Sequence, residues 1–199
     1  IRDRLILLDS TENNLFYIDN KCKEYNSDSG VMPILGDIRD KKTVNTIFNS
    51  FRPNVVLHAA AYKHVPMQEL NPWEAVNTNI KGTINLVNAS ETFSVERFVL
   101  VSTDKAVNPT NVMGATKRVA EQVIQARSTD TKVKYMAVRF GNVIGSSGSV
   151  IPTFQKQIND PDFYEKVVPL ILKKVQLQDK IRYNREKFGL DIDDLHISH

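Results

Sequence analysis

The sequence holds a single cysteine, Cys22, among 199 residues. With no second thiol to pair with, a disulfide framework inside the chain is excluded, and the usage fits a reducing compartment, the cytoplasm. No apolar run approaches the roughly 18 residues of a membrane span, and no signal peptide is legible. Charge of one sign is equally scarce. The formal charge is +3, and no Lys/Arg-dense stripe marks a nucleic-acid surface. The small positive excess is compatible with a polyphosphate ligand. His58, His64, His196 and His199 show no metal-ligand spacing, so no metal site is expected. Internal repeats and low-complexity tracts are absent.

What is present is a 41% hydrophobic complement, enough for one sizeable core in a chain of one domain or a little more. Short runs rich in Val, Ile, Leu and Phe lie at Arg4–Leu8, Val31–Leu35, Val55–Leu57, Phe98–Val101 and Tyr135–Phe140. Each is followed by turn or cap residues, the pattern of buried parallel strands. Between them the spacing predicts helices at Thr11–Glu24 (with Ser10 as a cap), Lys41–Phe51, Ala75–Phe93 and Val112–Ala126. Strand and helix in alternation imply an α/β fold, a doubly wound parallel sheet with right-handed crossovers. Past the break at Asp160-Pro161-Asp162 the chain becomes charge-dense and helical. This places a boundary near Ile158, with a domain over 1–158 and a helical tail over 159–199.

Three strand ends carry residues suited to a dinucleotide. Asp9 ends the first strand, where an acidic residue accepts hydrogen bonds from the adenosine ribose and repels a 2'-phosphate; this favours NAD over NADP. Asp37, after Gly36, is placed to accept from an adenine amino group, with Ile38 against the ring face; taken in isolation, the stretch reads better as a plain turn and helix cap. Ala59, Ala60 and Ala61 follow the third strand, small enough to let a ligand approach the backbone. A Gly-rich phosphate turn would precede Asp9 by roughly 20 residues, yet the chain opens at Ile1, directly ahead of Leu5. The expectation is therefore a sheet without its central first strand and a gap or abnormal pairing between the Arg4–Leu8 and Val55–Leu57 strands. Gly145-Ser146-Ser147-Gly148 is no substitute, because it opens no long helix.

The reactive types gather at the fourth strand's end, Ser102-Thr103-Asp104-Lys105, and on the following helix, where Met113 and Lys117 share one face. A hydroxyl at a strand end followed by Tyr-x-x-x-Lys marks the short-chain dehydrogenase/reductases; here Met113 stands where Tyr is expected. Together with Ala60-Ala61-Tyr62-Lys63-His64-Val65-Pro66, Asn77-Thr78-Asn79-Ile80-Lys81-Gly82-Thr83, Arg139-Phe140-Gly141-Asn142-Val143 and Gly148-Ser149-Val150-Ile151-Pro152, the chain resembles the CapD-type polysaccharide biosynthesis branch of that superfamily. The resemblance runs from Ile1 to about Gln157.

The resemblance implies a Rossmann-like domain binding NAD or NADP and a nucleotide-sugar 4,6-dehydratase acting on UDP-N-acetylglucosamine. By it Thr103 holds the sugar O4, with Ser102 as the alternative, Asp104 is the acid and Lys105 the base. Lys117 binds the nicotinamide ribose, Asn79 holds the active-site backbone and Asn142 meets the substrate diphosphate; Lys63, just past the nicotinamide side, is placed to meet substrate or cofactor phosphate, and reads equally well as a solvated loop lysine. Met113 has no proton to give or take, so the O4 proton leaves through water or Asp104. A homo-oligomer is implied, as is a parent anchored at the cytoplasmic face of the inner membrane. Two other readings stay open: a nucleotide-sugar 4-epimerase, and a non-catalytic module or inactive fragment.

Overall fold

The computed structural model describes residues 4–25, 30–129 and 131–141. The chain divides into two units, Ile1–Gly141 and Asn142–His199. Asn142, the Gly145–Gly148 stretch, the boundary expected near Ile158 and the tail over 159–199 lie outside the described residues.

Five strands are described, all parallel: β1 (Leu5–Asp9), β2 (Val31–Leu35), β3 (Val55–His58), β4 (Arg97–Thr103) and β5 (Lys134–Phe140). They form two sheets, β1-β2 and β3-β4-β5. β1 and β3 make no ladder with each other, the gap expected between these strands. β4 is the best-buried strand because it pairs on both sides, with β3 and β5: Phe98, Leu100 and Ser102 are buried, while Val99, Val101 and Thr103 are half-buried.

The helices are α1 (Glu12–Tyr25), α2 (Lys41–Phe51), α3 (Val65–Leu70), α4 (Pro72–Ala75), α5 (Thr83–Thr92) and α6 (Val112–Arg127). α1 opens one residue later than expected. Asp9 Oδ1 accepts from the Thr11 amide at 2.7 Å and the Thr11 carbonyl takes the Leu15 amide, so the turn ahead of the helix is built on Asp9. α2 buries Val44, Ile47 and Phe48 on one stripe and starts at Asp40, which accepts from the Lys42 amide at 2.9 Å. It ends at Arg52, in the left-handed region at φ 46, with its guanidinium 4.8 Å from the Phe93 ring centroid. Val44 and Phe48 join Leu86, Val87, Val95, Phe98, Leu100, Ala120 and Ile124 in one core, against which Leu8 of β1 and Val56 of β3 both pack. Both sheets therefore feed a single core although no backbone ladder joins them.

The helix expected over Ala75–Phe93 starts earlier, at Pro72, and is not uniform. Between α4 and α5 it passes through a π-helical segment, Val76–Gly82. Such segments are rare and tend to occur at functional sites. Among the described residues no helix is long and apolar enough to cross a membrane.

Candidate active site

Parallel strands bring their carboxyl ends to one edge, where ligands of open α/β sheets bind. β4 ends in Thr103, which opens a single 3-10 turn, Asp104–Ala106. Asp104 Oδ1 receives the Thr103 hydroxyl at 2.9 Å, the Lys105 amide at 2.9 Å and Lys105 Nζ at 3.1 Å. The Thr103 hydroxyl first, and then Lys105, hold the Asp104 carboxyl below the usual carboxylate range. Its other oxygen faces Gly141 after β5; a Cβ there would lie 3.8 Å from Oδ2. Ser102, the alternative to Thr103, is buried on the inner side of β4 beside Glu121, so Thr103 is the hydroxyl that reaches outward.

The start of α6 is pressed against this turn. Asn111 caps it by accepting from the Gly114 amide at 2.8 Å, and Glu69 of α3 accepts from the Val112 amide at 2.7 Å. A Cβ on Gly114 would lie 2.4 Å from the Lys105 carbonyl oxygen, so only glycine allows this approach. One turn on, Lys117 sends Nζ to the Val101 carbonyl at 2.8 Å. Burial pushes this ammonium down to about 8, partly offset by Glu121. Thr103, Asp104, Lys105 and Lys117 are thus gathered at the carboxyl end of β4. Met113 is placed beside them on α6, but its side chain is only 4% exposed. It fills the core at a position where a tyrosine would offer a hydroxyl.

At the neighbouring strand ends, Ala59 and Ala60 are exposed and Ala61 half-buried after β3. The loop they begin is clamped by Asn79 from the π-helical segment. The Asn79 side chain accepts from the Tyr62 amide at 2.9 Å, donates to the Tyr62 carbonyl at 3.2 Å and donates to Thr116 Oγ1 at 3.0 Å. Lys63 is exposed on the same loop. Asp37 is engaged by Arg39, whose backbone amide and Nε reach the carboxylate at 2.8 Å and 2.7 Å, lowering its pKa. Ile38, expected against a ring face, is buried in the core. It packs on Gly82, where a Cβ would fall 2.5 Å from Ile38 Cδ1, and Asn85 holds its carbonyl at 2.9 Å.

Sequence reasoning gave no role to Tyr62, Thr83, Thr116, Glu121 or Arg139. Glu121, four residues past Lys117, is gripped by Arg139 Nε at 2.8 Å and Nη2 at 2.7 Å. A Lys-x-x-x-Glu spacing was the available signal, but its partner lies on β5, beyond any local period.

Parallel strands in two ladders, helices between them, and a Thr-Asp-Lys turn with a buried lysine at the carboxyl end of β4 define a Rossmann-like α/β domain of the short-chain dehydrogenase/reductase type. The profile of the polysaccharide biosynthesis protein family matches residues 2–168, and the chain belongs to that family. It is 48% identical over 157 residues to the capsular polysaccharide biosynthesis protein CapD of Staphylococcus aureus, covering 78% of this chain and 26% of that protein. It is 40% identical over 129 residues to a UDP-N-acetylglucosamine 4,6-dehydratase (inverting) of Campylobacter jejuni, covering 63% and 38%. Among solved structures, Pen from Bacillus thuringiensis superimposes with a TM-score of 0.70 at 35% identity, covering 80% of this chain and 49% of that one. The chain thus spans well under half the length of these two curated relatives.

Proposed function

We propose that the chain carries the catalytic edge of a nucleotide-sugar 4,6-dehydratase acting on UDP-N-acetylglucosamine with NAD or NADP. The observation that carries this reading is the hydrogen bond from Thr103 to Asp104 on the same turn as Lys105. The exposed alanines after β3, over a loop whose backbone is pinned by Asn79, fit the approach of a dinucleotide. Asp9, Asp37 and Ala59–Ala61 would hold it, with Lys117 toward the nicotinamide ribose; Asp9 favours NAD. When bound, it supplies the site that takes and returns a hydride.

The residues then divide the protons. Thr103 accepts the O4 proton of the sugar and passes its own to Asp104, which enters ionised because its neighbours hold it so. This replaces the hydroxyl that Met113 lacks. With C4 a ketone, the C5 hydrogen is acidic, and Lys105, which enters this step as the neutral amine after giving one ammonium proton to water, takes it as a base. Asp104, now protonated, gives its proton to the C6 hydroxyl, which departs as water. Lys105 returns its proton to C5 as hydride arrives at C6. The carboxylate is thus base in the first step and acid in the second. Lys63 and Asn142 are proposed substrate contacts. The same family likeness supports a homo-oligomer and a place at the cytoplasmic side of the membrane.

Incubation with UDP-N-acetylglucosamine and NAD tests this by mass spectrometry. Loss of one water from the sugar nucleotide is expected. Unchanged mass with a new isomer would instead mean a 4-epimerase, and unchanged substrate with no NAD binding a non-catalytic module.

A further inference from the structure

Between β3 and the π-helical segment stand three buried polar side chains, two of which take no part in the chemistry above. His58 ends β3 at 3% exposure, and Thr83 and Asn79 are at most 1% exposed. His58 Nε2 lies 2.8 Å from Thr83 Oγ1, and Thr83 Oγ1 lies 2.7 Å from the Asn79 carbonyl oxygen. A threonine hydroxyl has one proton to give. Donated to the Asn79 carbonyl, it leaves Oγ1 as an acceptor, so His58 Nε2 must carry the hydrogen. Nδ1 is then a bare lone pair, and it is indeed buried without a partner. The other tautomer would bury an N–H with no acceptor, which folded proteins avoid more strictly. Burial, with the Lys117 charge nearby, pushes His58 down to about 3, so the ring stays neutral.

The hydrogen-bond chain leads to the site. The Asn79 carbonyl is held by Thr83, and the Asn79 side chain clamps Tyr62 and Thr116, the residue before Lys117. A π turn has poorer helical geometry than its neighbours and persists where something holds it. We propose that His58 is a positioning residue: a neutral Nε2–H donor that, through Thr83, locks the π turn at Asn79 and so sets the 59–63 loop against α6 beside Lys117. Its purpose rests on the dehydratase reading; its geometry does not. A packing role alone, such as the edge contact of His58 with Phe98 at 6.0 Å between centroids, would be served as well by leucine.

The test uses the full 199-residue chain. Nitrogen NMR of the His58 ring is expected to show hydrogen on Nε2, a bare Nδ1 and no titration down to about pH 4; hydrogen on Nδ1, or titration near the ordinary value of about 6.5, overturns the proposal. Exchange of the Tyr62 amide, which is bonded to Asn79, supplies the second readout. His58→Leu is expected to speed it about tenfold, whereas His58→Gln, which can place an amide N–H near the lost donor, largely restores protection. Equal protection in both variants overturns the relay. Should His58→Leu fail to fold, Thr83→Val removes the same link without changing the volume. In turnover, His58→Leu is expected to lower kcat with KM little changed. If no dehydratase activity exists, ring and exchange results still decide the relay; if turnover persists while Tyr62 protection is unmoved, only the relay is lost.

Discussion

At Asp104 three donors crowd one oxygen and leave the other facing Gly141. Because Thr103 is the largest cause of the lowered Asp104 pKa, Thr103→Val is expected to raise it toward the ordinary 3.8, read by carbon NMR of the carboxyl. Turnover should fall roughly 10²–10⁴-fold in Asp104→Asn, because a neutral amide can neither take the O4 proton nor give one to the leaving hydroxyl. Glu121 offers a separate stability prediction. Arg139 holds it at about 2 in the folded chain, against 4.5 when free. Its contribution is complete above pH 4.5 and disappears as pH falls through 2, because the unfolded chain then binds the proton more readily. Glu121→Gln is expected to cost about 2 kcal/mol at neutral pH and to flatten this acid limb in denaturant titrations.

Helices carry the site by close approach. Gly114→Ala would drive a Cβ to 2.4 Å from a backbone carbonyl, whereas Gly82→Ala meets Cδ1 and Cγ1 of the Ile38 side chain at 2.5 Å and 2.7 Å. A side-chain tip can shift and a carbonyl in a tight turn cannot. Gly114→Ala should therefore destabilise more, by about 1–3 kcal/mol, and should also impair turnover; paired thermal melts check the ranking. The same contrast shows what the sequence made legible. β2 and α2 match their expected bounds, and the other strands agree within a few residues, because apolar runs with polar flanks report strands directly. The Thr103–Lys105 turn and Lys117 were legible by residue type and resemblance. The π-helical segment was not, since a period of 3.6 smooths over one wide turn. Nor was the burial of Met113 and Ile38, which depends on the approach of Gly82 and α6, or the grip of Arg139 on Glu121 across 18 positions.

For the whole molecule, the edges of β1 and β3 that pair with no other strand among the described residues dominate. Leu57 is 72% exposed, Val55 45% and Leu5 46%. Apolar side chains along open parallel edges invite further strand pairing. The isolated chain is expected to self-associate with rising concentration, and Leu57→Lys to reduce light scattering without shifting the circular dichroism spectrum. If scattering is unchanged, these edges are not the source.

The division into two ladders also shapes how the molecule loosens. The β1-α1-β2 layer spans only Leu5–Leu35, and no strand pairing ties it to the β3-β4-β5 layer. Leu8 on the shared core is one of the few apolar anchors that remain for it. This layer should come away as a separate cooperative unit, at lower free energy than the layer around Phe98 and Leu100. Limited proteolysis would then cut first within the amino-terminal layer, leaving the half that bears Thr103, Asp104 and Lys105 intact.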